Sequence, residues 1–172
     1  LKKELSDKQA RLQSLQSQIN PHFLYNALEC IRGQAIVENC PQIAKITQAL
    51  SRFFRYSISN RDNIVTVRDE LENIQTYMLI QQYRFGDRFS FEVDIDPEDD
   101  CGSAVLPKLT LQPLVENSIV HGLESTVSNG KIKIIARSMS AHVSIKVIDN
   151  GKGIPADTLT RMFSNDFEAA AP

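Results

Sequence analysis

The sequence has no apolar run approaching the ~18–20 residues needed to span a bilayer, and no secretory leader opens it. Cysteine is scarce. Cys30, Cys40 and Cys101 are widely spaced and form no Cys-x-x-Cys pair. An odd, scattered set argues against a disulfide framework and fits a reducing, cytoplasmic setting. A large charge imbalance is missing too. The net charge of −2 gives no electrostatic case for binding nucleic acid or an anionic membrane surface. Internal repeats and low-complexity segments are absent, as are a Walker loop and a dinucleotide Gly-x-Gly-x-x-Gly.

What is present is the composition of a folded chain. Hydrophobic residues make up 42% and charged residues 23% of 172, enough for a sizeable core in one or two domains. The chain opens on Leu1 rather than Met, inside an expected helix, and so reads as an excised fragment with its upstream part missing.

Its character changes near Arg84–Asp87. Before that point the pattern is helical. Leu5, Leu12 and Ile19 recur every seven residues in a first helix from about Leu1 to Ala35, a short heptad stripe. Pro21 should kink it, and the apolar cluster Phe23, Leu24, Ala27, Leu28 and Ile31 should pack on more than one side. Glu38–Pro41 reads as a turn. Ile43, Ile46, Leu50, Phe53 and Phe54 mark a second amphipathic helix. Such a hairpin buries little alone, so doubling into a dimeric four-helix bundle completes it. Ser57–Arg61 reads as a linker. Thr66-x-x-Asp69 then resembles a capping box before a third helix from Arg68 to about Tyr83, with Leu71, Ile74, Met78 and Leu79 or Ile80 inward.

After Arg84, Phe89, Phe91, Val93 and Ile95 alternate with polar residues as a half-buried strand. A helix is expected to open near Pro107 and stop at His121–Gly122. Lys131–Ala136 and His142–Ile148 predict two more strands around a turn at Ser138–Ala141, and a short helix is expected around Thr158–Phe163. The expected class is α+β, with helices first and then antiparallel strands carrying a helix on one face.

Three clusters carry chemistry. In Gln18-Ile19-Asn20-Pro21-His22-Phe23-Leu24-Tyr25-Asn26, helical spacing puts His22 and Asn26 on one face, with Glu29 a turn further. A neutral imidazole is nucleophilic near pH ~7, although a lone helical histidine also has a plain structural explanation. In Leu111–Gly122, Glu116, Asn117 and His121 interrupt an apolar helix. An amide oxygen suits Mg²⁺, and a buried Asn with a C-terminal His is the plainer alternative. In Asp149-Asn150-Gly151-Lys152-Gly153-Ile154, a carboxylate at a strand's end can accept a hydrogen bond from an exocyclic amine. Gly151 and Gly153 allow close backbone approach, although a simple turn would look the same.

In this order and spacing the three clusters resemble the sensor histidine kinases of the LytS/YesM type, over almost the whole chain. Residues 18–26 are similar to that family's phosphoacceptor box. Arg55-Tyr56-Ser57 and Tyr83–Arg88 are similar to its connecting segments, Leu111–Gly122 to its N box, and Asp149–Ile154 to its first glycine box. The resemblance implies a dimerisation and phosphoacceptor domain over 1–84, followed over 85–172 by an ATP-binding domain of the gyrase, Hsp90 and MutL fold. It implies His22 as phosphoacceptor, Asn117 as a holder of Mg²⁺, Asp149 on the adenine amine, and Gly151 and Gly153 shaping the pocket. Glu116 would lie beside the metal and His121 near the phosphates. Asn26 sits where related kinases position water to dephosphorylate their regulator. ATP and Mg²⁺ are the implied cofactors. The implied partners are a second copy and a response-regulator receiver domain, with membrane attachment only through an N-terminal region.

The pattern departs from the family in several places. Phe23, not an acid, follows His22, which leaves Glu29 as the candidate base on helical geometry alone. Val120 stands where many relatives have Lys. The family continues beyond its first glycine box into a lid and a second glycine box, so the nucleotide site is expected to be incomplete here. Two other readings remain at this point: a dimerisation and regulator-binding module with weak or absent nucleotide binding, and a gyrase- or MutL-like ATPase.

Overall fold

The computed structural model describes residues 21–58, 63–95, 100–123 and 129–163. The heptad stripe of Leu5, Leu12 and Ile19 lies outside them, as does any helix before Pro21. Among the described residues the chain divides into two compact units. One holds the residues up to Arg84 together with Ser103–Thr110. The other holds Phe85–Gly102 and the residues from Leu111 onward.

In the first unit, α1 (Pro21–Val37) and α2 (Pro41–Ile58) form a hairpin. Asn39 closes α1 in the left-handed region at φ 56°. Cys40 N–H reaches the Ala35 carbonyl at 2.7 Å and Asn39 N–H the Ile36 carbonyl at 3.1 Å. This is the Schellman pattern, and it uses up carbonyls that a helix end leaves unpaired. Pro41, which lacks an N–H, then sits where a helix needs none. Leu28 and Ala35 of α1 and Thr47, Ala49 and Ser51 of α2 are the buried residues of these helices. Phe23 and Ile31, expected to pack on several sides, stay exposed in the single chain. The expected linker from Ser57 is helical as far as Ile58, and residues 59–61 lie outside the described residues.

β1 (Ile64–Thr66) leads into α3 (Val67–Phe85). The capping box is made, with Asp in the place of the usual Glu. Asp69 N–H donates to the Thr66 hydroxyl at 3.1 Å, and Thr66 N–H donates back to Asp69 Oδ2 at 2.9 Å. Leu71, Ile74 and Met78 are buried as the spacing requires, along with Val67 and, against expectation, Glu70.

The segment around Pro107 differs from the sequence reading. It is no helix start but β3 (Val105–Pro107), antiparallel to β1 in the register Ile64↔Pro107, Val65↔Leu106 and Thr66↔Val105. Pro107 is tolerated because it ends a two-stranded ribbon. Leu109, at φ 61°, bars helix directly after it. The helix α4 (Gln112–Asn117) therefore opens five residues later, with Pro113 in its first turn, and runs into a π-helical segment, Ser118–Leu123.

The second unit is built on a three-stranded sheet in the order β2 (Phe89–Ile95), β4 (Gly130–Ser138), β5 (Val143–Asp149). The expectation of antiparallel strands holds only for β4 and β5. β2 runs parallel to β4, from Phe89↔Gly130 to Ile95↔Ala136. The chain between them returns through α4, and a parallel pair requires such a crossover. The β4–β5 turn is tight, closed by Met139 N–H on the His142 carbonyl at 2.8 Å. Ile132, Ile134 and Ala136 form the buried face of β4. On its other face Lys133 pairs with Glu92 at 2.9 Å and Asp94 at 3.0 Å. Leu111, Val115, Ser118 and Ile119 give α4 and its extension a single buried side. The described chain ends in α5 (Ala156–Phe163). The α+β class is as expected.

Candidate functional site

His22 occupies the first turn of α1 and is exposed, as is Phe23 beside it. One helical turn on, Asn26 brings its Nδ2 to 3.3 Å from His22 Nδ1. The amide and the imidazole can pair in either sense, and the tautomer decides which donates. Glu29 is held by Arg32, Oε2 to Nη2 at 2.8 Å, and so faces a cation along its own helix. Next to Asn26, Tyr25 ties this end of α1 to α2: the Arg55 guanidinium lies 5.3 Å from the centre of its ring, and its hydroxyl donates to the Phe54 carbonyl at 3.4 Å.

The other expected site residues lie in the second unit. Glu116 is half-buried on α4 and accepts a 2.8 Å hydrogen bond from Gln112 Nε2, an i,i+4 pair. Asn117, the last residue of α4, is exposed, and His121 lies in the π-helical segment. Helical segments of that kind are frequent at functional sites. Asp149 ends β5. Its Oδ1 accepts the Gly151 N–H at 2.9 Å, and its Oδ2 accepts the Ser118 hydroxyl at 3.0 Å. Gly153 stands at φ 70°, where any side chain would be strained. Asn150 pins the same turn to the start of β4, accepting Lys131 N–H at 2.6 Å and donating to the Asn129 carbonyl at 3.0 Å. The structure therefore joins the Asn117 segment to the Asp149 glycine turn, through a residue that the sequence reading passed over.

Among the described residues no group of three or more His, Cys, Asp or Glu side chains could hold a metal. Asn117 is exposed and carries an amide oxygen of the kind Mg²⁺ accepts as ligand, whereas Glu116, one residue earlier on α4, is engaged by Gln112. Asp149, an acceptor on an exposed turn, suits an amine donor.

Residues 10–89 match the family described as "Histidine kinase", and residues 102–171 match that described as "Histidine kinase-, DNA gyrase B-, and HSP90-like ATPase". The chain is 42% identical to the sensor histidine kinase YesM of Bacillus subtilis over 154 residues, 90% of this chain and 26% of YesM. It is 39% identical to the sensor histidine kinase YpdA of Escherichia coli over 165 residues, 95% of this chain and 28% of YpdA. The chain belongs to the histidine kinase family. It spans about a quarter of the length of these curated relatives. Among solved structures, the catalytic domain of the histidine kinase ThkA aligns at a TM-score of 0.44 and 19% identity, covering 60% of this chain and 68% of that one.

Two features of this histidine kinase chain escaped the sequence reading. Ser118 looked like one small residue in an apolar run, and only its place next to Asn117 marked it. Glu70 occupies an inward position of α3, between Val67 and Ile74, where an apolar residue is the norm. A charge on that stripe was the available signal.

Proposed function

We propose that the protein containing this chain is a two-component sensor histidine kinase. It would autophosphorylate on His22 and pass the phosphoryl group to an aspartate of a response-regulator receiver domain. Residues 1–84 are the dimerisation and phosphoacceptor part, and residues 85–172 belong to the ATP-binding part. The reading is carried by one observation: the Ser118–Asp149 hydrogen bond draws together two of the three motifs, which lie 31 residues apart. The exposure of His22 and the sequence likeness to YesM and YpdA support it.

Bound Mg-ATP supplies the γ-phosphoryl group. A ring nitrogen of His22 attacks that phosphorus, an N–P bond forms, and the bond to the β,γ-bridging oxygen breaks with its electron pair leaving on ADP. The chain's contribution is mainly placement and charge. Asp149 accepts a hydrogen bond from the adenine amine, and Gly151 and Gly153 let the backbone come close. Asn117 would hold Mg²⁺, which would offset charge on the phosphates, with Glu116 beside it, and His121 would serve on the phosphate side of the site. Asn26 orients the His22 ring and, in the reverse sense of the pathway, a water that attacks the phosphorylated regulator. A second copy of the chain covers Phe23 and Ile31 in a four-helix bundle. The chain lies in the cytoplasm, and membrane attachment belongs to a region outside it. Among the described residues no helix is long and apolar enough to cross a membrane.

Incubation of the full-length protein with γ-labelled Mg-ATP should give an acid-labile, base-stable phosphoprotein that His22→Gln abolishes. An unlabelled wild type, or a His22→Gln variant labelled as strongly as wild type, overturns the proposal.

A further inference from the structure

Ser118 belongs neither to the expected metal-binding residues nor to the glycine turn, yet it touches the carboxylate on which the nucleotide reading depends. It is only 8% exposed, and its backbone N–H is shared between the carbonyls of Leu114 and Val115. Its backbone is therefore held in the helical segment. From there its hydroxyl donates to Asp149 Oδ2 at 3.0 Å. The other contact of the carboxylate, Gly151 N–H to Oδ1 at 2.9 Å, comes from two residues along the same turn and travels with that turn. Ser118 alone of these two donors references the carboxylate to a different element of the unit.

A carboxylate has about four lone-pair sites. One donor on each oxygen fixes the plane of the group and still leaves acceptor capacity on both. We infer that Ser118 is a positioning residue for base recognition: through its hydroxyl it holds Asp149 in the orientation that accepts the 6-amino group of a purine and rejects a 6-oxo group. The inference rests on the nucleotide reading of this site. The chemistry is asymmetric. An ionised carboxylate only accepts, so a 6-amino purine gains a charge-assisted bond, while a 6-oxo purine sets acceptor against acceptor. Loosening the carboxylate costs the amino purine its bond and costs nothing to a purine that has no group at that position.

That difference supplies the test. The full-length protein is titrated calorimetrically with Mg-ATP, Mg-GTP and the Mg complex of purine riboside triphosphate, which lacks the 6-amino group. Ser118→Ala should weaken ATP by roughly tenfold, the size of one net hydrogen bond to a charged group. Purine riboside triphosphate should change by less than about twofold, and the preference for ATP over GTP should narrow accordingly. Ser118→Thr, which keeps the hydroxyl, should recover most of the ATP affinity. In an Asp149→Ala background, Ser118→Ala should have no further effect, because its target is gone.

An equal loss for ATP and purine riboside triphosphate, or a loss that persists in the Asp149→Ala background, overturns the inference and makes Ser118 a packing residue. ATP affinity unchanged in Ser118→Ala overturns it as well. Ser118→Cys, similar in volume and a weak donor, replaces the alanine variant if that one does not fold. If the wild type binds none of the three nucleotides, the nucleotide reading falls, and this inference with it. If the wild type binds ATP and only the Ser118 pattern is missing, the nucleotide reading stands and the inference alone fails.

Discussion

Glu70 has no solvent exposure, and a carboxylate in that position must be satisfied where it stands. Its Oε1 accepts the Tyr56 hydroxyl at 2.5 Å and the Leu109 N–H at 2.7 Å, so one side chain of α3 holds both the end of α2 and the turn after β3. Lys108 stacks its ammonium 4.9 Å from the centre of the Tyr56 ring. Burial pushes the Tyr56 hydroxyl well above its ordinary value, and the bond to Glu70 and the nearby negative charge add to that. A raised folded-state value means stability that is complete below the unfolded tyrosine pKa of ~10 and is lost as pH rises above it. Tyr56→Phe should therefore cost about 1–2 kcal/mol at neutral pH and flatten the alkaline limb of the stability curve. Glu70→Ala, which strands two donors and leaves a cavity, should cost about 3–5 kcal/mol, and Glu70→Gln less. Urea unfolding between roughly pH 7 and 11 measures both effects. An alkaline limb unchanged in Tyr56→Phe would assign it to another group. At this scale the sequence was legible where a residue type stands out from its local pattern, as Asn117 does in an apolar helix and Asp149 does before a glycine turn. It was illegible where a common residue gains a role only by contact: nothing in the local pattern links Tyr56 to Glu70 or Ser118 to Asp149.

Elements were legible in proportion to their length. β2, β4 and β5 alternate long enough for period two to declare them, and α1 to α3 carry helical spacing. β1 and β3, three residues each, have no period to read. The parallel pairing of β2 with β4 was hidden for another reason. Alternation states that a strand has one buried face and says nothing about its neighbour. The start of α4 was misplaced because Pro suits a helix's first turn and also the end of an edge strand. The positive φ that decides the matter falls on Leu109, where no glycine announces it. The capping box at α3 was legible and yields a prediction of its own. The Thr66 hydroxyl, and then its backbone N–H, hold the Asp69 carboxyl below its ordinary value. A lowered folded-state value gives stability that is present above the unfolded Asp pKa of ~3.9 and is lost as pH falls through the folded one. Thr66→Ala should destabilise the protein by about 1 kcal/mol at neutral pH. It should also blunt the acid-side loss, so that the gap between mutant and wild-type melting temperatures narrows as pH falls below the unfolded Asp value. A constant difference across that range would place the whole effect of Thr66 in the bond its hydroxyl accepts from Asp69 N–H, which does not depend on pH.

The chain passes between its two units three times, at Arg84–Phe85, Gly102–Ser103 and Thr110–Leu111, so neither unit is a simple stretch of sequence. The composition change near Arg84 reveals the first passage. The return of Ser103–Thr110 depends on the pairing of β3 with β1, which no composition shift marks. What the first unit lacks by itself is cover for its apolar residues. Phe23 is 73% exposed and Ile31 49%, and with Ala27 between them they stand four residues apart along α1. A second hairpin would bury them. This makes Ile31 a discriminating position, because in the isolated chain an exposed Ile→Asp change costs within about 0.5 kcal/mol. If a partner covers the residue, the same change places a charge in an apolar interface and should shift association by several kilocalories per mole. Sedimentation velocity of the full-length protein at micromolar concentration should show a dimer for wild type and a monomer for Ile31→Asp. Far-UV circular dichroism of the variant should keep its helical signal, since the buried residues Leu28, Ala35 and Ala49 are untouched. A variant that remains dimeric would mean that the copies meet through another face. Loss of helicity together with loss of the dimer would mean that the hairpin needs its partner in order to fold.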